Sequence, residues 1–455
     1  MNPNLNEIIE DVKQKKPIPT VSATFEDGTI LETVYRPLER RTGFVLWNEG
    51  KWSFETGFGI DRFHWLVPYS ANNNLIKNEV VLLPSEPEEY GTEEELLNEI
   101  QTFIHRYVDV SPLFEKIASY YVLFSWIYDG FNELPYLRLR GDAGSGKTRF
   151  LLIVGSLCYK PIFASGASTV SPLFRILDAF RGTLIIDEGD FRLSDEKAEI
   201  VKILNNGNAK GFPVLRSEVS GKGEFNPRAY HVFGPKIVAT RGFFEDKALE
   251  SRFITEEMGQ YRLRDDISIS LPSQYKEEAL HIRNKLLLFR FRNLKKPRIT
   301  ESLVDRTIEP RLNQIFVPLL SIIEDTKARE DLQGLARDYN REIISDRGMD
   351  MEAQILEIIR DVLSSRLVDR LSIKDITNWF VDRYGMDYER KITSKWIGTI
   401  IRKRLNLKTQ KSHGVYVIPL SEKPKLDRLF EKYGISAKEV EEQDFEEDYH
   451  YEPTG

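Results

Sequence analysis

The sequence predicts an α/β chain. A nucleotide-binding core with a parallel sheet wrapped by helices is preceded by a β-rich leader and followed by a helical lid. A three-helix unit with a β-hairpin comes near the end. Three observations predict this. GDAGSGKT (141–148) fits G-x-x-x-x-G-K-[ST], the loop that binds nucleotide phosphates, with a strand-like PYLRLR (135–140) before it and a helix-like TRFLLIVGSL (148–157) after it. A buried β-run, LII (184–186), ends in Asp187 and Glu188 after an intervening strand-helix pattern, PIFASG then SPLFRILDAF. From residue 349 on, three helical patterns are followed by two short β-runs around KSHG (411–414).

In the loop itself, Gly141, Gly144 and Gly146, spaced by Asp142, Ala143 and Ser145, let the backbone curl so that successive N–H groups point inward. Lys147 supplies a point charge for the β- and γ-phosphates, and Thr148 supplies a hydroxyl for Mg²⁺. The helix that follows turns its positive end to the same phosphates. Asp187 is positioned to hold the Mg²⁺ hydration shell, and Glu188 to orient and polarise an attacking water. ATP and Mg²⁺ are the ligands this set implies.

Composition bounds the class. The chain has 455 residues, 41% hydrophobic and 30% charged, which suits a globular protein of roughly three domains. No apolar run reaches the ~18 residues of a membrane span, and MNPNLNEIIEDVKQKK has no signal-peptide core, so no membrane partner and a cytoplasmic location are expected. The single Cys158 excludes an internal disulfide, and six scattered His argue against a zinc module. Net charge is −7, but eight acids and no Lys or Arg lie between 439 and 452; removing them leaves about +1, so local basic patches decide what the body binds.

The expected organisation is a β-rich domain over 1–90, a helical lead-in and ATPase core over 91–270, a helical lid over 271–345, a DNA-binding unit over 349–420, and an acidic, disordered tail over 421–455. In the leader, VSATF, TILETVY, GFVLW, KWSF, FHWLV and VVLL alternate with turn signals. Its aromatics (Trp47, Trp52, Phe54, Phe63, Trp65) suit either a small β core or stacking on bases, and the core reading is the favoured one. PSEPEEYG (84–91) is the first boundary. Thr92 and Glu95 form a capping-box signature for a helix whose Leu96, Leu97, Ile100, Phe103, Ile104 and Tyr107 share a face, and a second helix runs over 113–128.

A third element, PKIVATRGFFEDKALESRFI (235–254), carries a strand ending in polar residues and then D-x-A-L-x-S-R-F. Here the chain resembles the AAA+ P-loop ATPases. The resemblance implies that Thr240 is a sensor of the γ-phosphate and that Arg252 is a finger acting in a neighbouring subunit's site; the SRF context is similar to that of MCM helicases. The family reads A-T-N where this chain reads Ala239-Thr240-Arg241, so the sensor is either Thr240 or Arg241. Arg311, opening EPRLNQIFVPLLSII, resembles a sensor 2 arginine reaching the γ-phosphate from the lid; pairing with Glu309 or Asp305 is the alternative.

Between the DE strand and the sensor strand, GFPVLRSEV, SGKGE and FNPRAYHVF read as a hairpin with Lys222 at its tip. The position resembles the pre-sensor 1 hairpin of MCM and viral superfamily 3 helicases, which implies a lysine on DNA inside a hexameric ring. RNKLLLFRFRNLKKPR (283–298) holds seven Lys or Arg and no acid, a weaker pointer to nucleic acid. Three helices and a hairpin give the order of a winged helix. At about 100° per residue, Ile392, Trp396, Ile397, Ile400 and Ile401 share one face of the third helix, and Lys391, Lys395, Gly398, Thr399 and Arg402 the other. Lys408 and Lys411 would line the wing. Together these features resemble the MCM-like helicases of phages, plasmids and chromosomal cassettes. They imply an ATPase and DNA helicase, a DNA partner and a homo-oligomeric, hexameric ring acting in replication. An ATP-switched initiator or helicase loader, and a defence or signalling ATPase with a protein-binding winged helix, remain as alternatives.

Overall fold

The computed structural model describes residues 16–435 except 62, 189–194, 218–226, 245, 260–262, 297–300, 349–350, 365–370, 386–391 and 413. The chain divides into two compact units, 1–336 and 337–455. Among the described residues, no helix is long and apolar enough to cross a membrane.

The first unit is built on a parallel five-stranded sheet. Its strands are β8 (Tyr136–Arg140), β9 (Ile162–Ser165), β10 (Leu184–Asp187), β13 (Lys236–Thr240) and β14 (Phe253–Glu257), in the order β14-β8-β13-β10-β9. The central strands β10 and β13 carry continuous apolar runs, over 184–186 and 237–239, as suits strands covered on both faces. Helix α4 (Lys147–Leu157) packs on β10 and β13, and α5 (Val170–Phe180) buries Val170, Leu173, Phe174, Leu177 and Phe180, a helical stripe. Because β13 lies between β8 and β10, the ends of three strands that are far apart in sequence come side by side.

Helix α2 (Glu93–Tyr107) starts on the predicted capping box: Thr92 Oγ1 accepts from Glu95 N at 3.1 Å, and Glu95 Oε2 accepts from Thr92 N at 2.8 Å. Helix α3 (Pro112–Ser125) is capped by Ser111 and buried along most of its length.

The leader has two sheets: a four-stranded one, and a three-stranded one of β1 (Lys16–Thr20), β6 (Phe58–Gly59) and β7 (His64–Pro68) in the order β1-β7-β6. The first is an antiparallel meander of β2 (Ser22–Thr24), β3 (Ile30–Arg36), β4 (Arg41–Asn48) and β5 (Lys51–Glu55). It is fastened to the core by a buried ionic cluster. Glu32 Oε1 accepts from Arg290 Nε and from the Tyr159 hydroxyl, each at 2.7 Å, and Glu32 Oε2 lies 2.9 Å from Lys160 Nζ. Arg290 also binds Asp129 at 2.6 Å. Burial pushes the Lys160 ammonium down to about 8 against the pull of Glu32. Removing one member of such a cluster strands a buried charge, which costs about 3–5 kcal/mol.

Arg290 lies in the basic run 283–298, and here the structure corrects the sequence reading. The run forms helix α8 (Tyr275–Asn293) and its end. Arg283 is buried with Nη1 on Ser156 O at 2.8 Å, Lys285 pairs with Glu99, Arg292 with Glu89 and Lys296 with Glu93. Lys285, Arg290, Arg292 and Lys296 answer acids brought from distant segments, and Arg283 and Lys295 answer backbone carbonyls, so these six serve as internal ties; Arg298 lies outside the described residues.

In the second unit, helices α11 (Met351–Ser364), α12 (Ile373–Tyr384) and α13 (Ser394–Lys403) pack around Ile355, Ile359, Ile376, Phe380, Ile397 and Ile401. An antiparallel hairpin of β15 (Gln410–Ser412) and β16 (Val415–Val417) follows, then α14 (Lys423–Lys432), which corrects the expected disordered tail over 421–455: Leu426 and Ile435 are buried in this core, and residues 436–455 lie outside the described residues. Ser372 caps α12 by accepting from Asp375 N at 3.1 Å. One residue departs from the expected face: Gly398 is buried, covered by the Arg402 side chain, 3.1 Å from where a Cβ would stand, and by Ile373 at 3.5 Å.

Candidate nucleotide site

The loop 141–146 joins the end of β8 to the start of α4. Gly146 caps the helix at φ +93°, a left-handed conformation that a side chain resists, and no side chain caps the first amides of α4. The Lys147 ammonium is held against the loop by Gly141 O and Asp142 O, both at 2.6 Å, and by Ser145 Oγ at 3.3 Å.

Strand β10 delivers the second group. Thr148 Oγ1 donates to Asp187 Oδ2 at 2.7 Å, and Asp187 Oδ1 accepts from Glu188 N at 2.9 Å. Glu188 sits at φ +55°, left-handed for a residue with a side chain. The neighbouring strand end allows this bend. Gly166 N donates to Asp187 O at 2.7 Å, and a Cβ on Gly166 would lie 2.2 Å from Glu188 O. No sequence signal separated Gly166 from any other turn glycine.

Strand β13 delivers the third. Thr240 O accepts from Gly141 N at 3.2 Å, which ties the strand to the loop. The Thr240 side chain is buried, with its hydroxyl on Gly242 O at 3.0 Å, whereas Arg241 is exposed. A cleft of 340 Å³ is lined by Ala143, Gly144, Ser145, Gly146, Lys147 and Thr148, by Asp187 and Glu188, and by Thr240 and Arg241. Arg149 also lines it, with Nη1 on Ser268 O at 2.6 Å, a tie the sequence did not announce.

The other predicted residues lie elsewhere. Arg252 precedes β14 at the end of the sheet away from the loop, roughly 13–16 Å off by strand rise. It is buried, with Nε on Asn208 Oδ1 and Nη1 on Ala248 O, both at 2.8 Å, and a further bond to Asn205. Its pKa is lowered, first by burial and then by the charge of Arg311. Arg311, in the first turn of α9 (Pro310–Leu320), is therefore on the Arg252 side, and its Nε is buried with no hydrogen-bond partner.

The hairpin arm is an antiparallel pair, β11 (Val214–Ser217) with β12 (Pro227–Tyr230), inserted between β10 and β13; Lys222 lies outside the described residues. In the second unit Lys395 and Arg402 on α13, and Lys408 and Lys411 at the hairpin, are all exposed, while Lys391 lies outside the described residues. In the leader the aromatics divide. Trp47 stacks on Phe291 at 5.4 Å, while Trp52, Phe54 and Phe63 are 41%, 38% and 63% exposed, so those three do not fill a core.

No family model and no curated protein matches the chain. Among solved structures it is similar to the C-terminal region of NrS-1, with TM-score 0.35 and 11% identity over 85% of this chain and 95% of that one. It is similar to Cch of SCCmec type IV, described as an active helicase, with TM-score 0.30 and 11% identity over 90% of this chain and 95% of that one. It is also similar to a full-length MCM homologue from Methanopyrus kandleri, with TM-score 0.34 and 12% identity over 66% and 69% of the two chains.

Proposed function

We propose that this protein is an ATP-hydrolysing DNA helicase of MCM-like type, working as a ring in the replication of a mobile element. The observation that carries the reading is the meeting of the phosphate loop, Asp187–Glu188 and Thr240–Arg241 around one cleft, with a β-hairpin inserted between the second and third of these strands.

The donor set suits Mg²⁺, because a hydroxyl and a carboxylate already meet at 2.7 Å and both are hard oxygen ligands. Thr148 and Asp187 would hold the ion, which when bound draws charge from the β- and γ-phosphates. Lys147 and the loop amides bind and orient the triphosphate. Glu188 accepts the proton of the attacking water. Arg241, exposed at the cleft while the Thr240 hydroxyl is engaged, is the better-placed sensor of the γ-phosphate. Arg252 and Arg311 sit at the far end of their own sheet, so their charges would serve a site in another copy. Asn205 and Asn208 already orient the Arg252 guanidinium for such a role.

The exposed cations of α13 and the hairpin after it suit a winged helix on DNA. A fork-displacement assay tests the whole reading. The parental protein should separate tailed forks with ATP. Lys222→Ala should keep basal hydrolysis and lose separation, Lys222→Arg should retain part, and Lys222→Glu none. Site-specific duplex binding with no displacement by the parental protein would instead mark an initiator or loader.

A further inference from the structure

The exposed aromatics of the leader need an explanation that the nucleotide site does not supply. Strand β5 is the edge of its sheet, and Lys51 to Phe54 are exposed along it. Trp52 and Phe54 are two residues apart, so they share a face, with ring centroids 5.3 Å apart and planes at 80°. Across the sheet, Trp52 is opposite Trp47 and Phe54 opposite Val45, which in turn is opposite Glu32. This is therefore the face that seats Trp47 on Phe291 and Glu32 on Arg290. The face begins under the core and runs out past it into solvent.

The charge on that margin is positive and poorly answered. Arg36 is directly opposite Arg41, a like-charged pair that a sheet does not favour. Gly43, between them and β5 on this face, has no side chain to block the reach, and the Arg36 guanidinium lies 3.9 Å over the Phe54 ring. Its ion-pair partner is Glu39 at 3.3 Å, on an exposed turn; Arg40 and Arg41 beside it are exposed. Glu55, the nearest acid on β5, is on the opposite face, where Ser53 binds it at 3.0 Å.

We infer that this margin of the leader, built from Trp52, Phe54, Arg36 and Arg41, is a stacking platform for single-stranded DNA; the inference rests on the DNA reading above. Trp52 and Phe54 meet edge to face at 5.3 Å and 80°, so the pair forms one continuous aromatic surface; an unpaired base stacks on it while the flanking guanidinium groups meet the phosphates. Stacking on an exposed strand edge uses the face that every base has, so the contact is indifferent to sequence. Duplex DNA hides the base faces that the rings would meet.

The test uses the full chain and a fluorescent oligo-dT strand, read by anisotropy, beside a blunt duplex of equal length. The double variant Trp52→Ala, Phe54→Ala should bind oligo-dT roughly tenfold more weakly for each ring that stacks a base. Duplex binding and basal ATP hydrolysis should stay unchanged. Trp52→Phe should restore most of the loss, because a ring and not the indole nitrogen is required. Arg41→Glu should weaken oligo-dT binding and flatten its salt dependence. Photocrosslinking with iodo-deoxyuridine in the strand should mark the peptide containing Trp52 and Phe54. Equal oligo-dT affinity in the double variant, with the parental chain binding the strand, overturns the platform and leaves the helicase reading intact. No oligo-dT binding by the parental chain overturns both. Unchanged affinity together with a lost oligomer by light scattering assigns the face to a subunit contact instead.

Discussion

The two ends of the parallel sheet carry the same kinds of residue and treat them in opposite ways. At the carboxyl ends of β8, β10 and β13, Lys147, Asp187, Glu188 and Arg241 line an open cleft, and Glu188 is held in an unfavourable backbone conformation. At the amino ends the polar groups are closed in. Lys236 is fully buried, with Nζ on Val232 O at 3.0 Å, Gly234 O at 2.9 Å and Gly207 O at 3.3 Å, over the Tyr136 ring at 4.7 Å. Tyr136 gives its hydroxyl to Leu204 O at 2.9 Å, and Arg252 is bound by two asparagines. Lys236 also joins both sides of the hairpin base to β13, whose other end reaches the cleft.

The comparison breaks first at the open end. Lys147→Ala should abolish ATP binding, since no other side-chain cation in the loop faces the phosphates; titration with a fluorescent nucleotide reads this directly. Glu188→Gln should still bind ATP and lose turnover by up to about 10⁴, because an amide fits but accepts no proton. A Gln variant hydrolysing at the parental rate would remove Glu188 from the mechanism.

Arg252 tests whether the closed end is only structural. Arg252→Ala should lower turnover by about 10³ if the charge serves a neighbouring copy. Mixing Arg252→Ala with Glu188→Gln protein should then recover activity at interfaces that take one intact group from each. A lowered melting temperature with no rescue on mixing would make Arg252 a scaffold residue.

The smallest effect sharpens the contrast through pH. Burial pushes Lys236 from 10.5 to about 7. Between those values the unfolded chain holds a proton that the folded chain has released, so stability rises with pH across the window and this contribution is lost as pH falls to 7. Lys236→Met should remove up to ~1.4 kcal/mol per pH unit from that slope in urea melts at pH 7, 8 and 9. Lys160, pushed to about 8, should leave a residual slope of the same sign. A slope identical to that of the parent would mean that Lys236 keeps its proton when folded.

What the sequence alone determined is what depends on neighbours in the chain. The phosphate loop, the Thr92–Glu95 cap and the β-run ending in Asp187 are each specified within about ten residues, and the hairpin arm within the segment 214–230. Local backbone preference, side-chain period and short-range hydrogen bonds were enough to read them. What only the tertiary structure decided depends on partners far along the chain. Arg290 looks like part of a basic patch until Glu32, 258 residues away, is found against it. Trp52 and Trp47 have the same composition signal, yet Trp47 is half-buried and stacked on Phe291 while Trp52 lies exposed beyond the edge of the core. Gly398 falls on the exposed side of a helical wheel and is buried because the Arg402 side chain folds over it and Ile373 packs beside it. Thr240 and Arg241 are adjacent in the chain, yet the Thr240 side chain is buried with its hydroxyl on Gly242 O while Arg241 is exposed. Periodicity says which side chains share a face; which face is covered, and how far the cover extends, follows from the packing of segments that the local pattern does not contain.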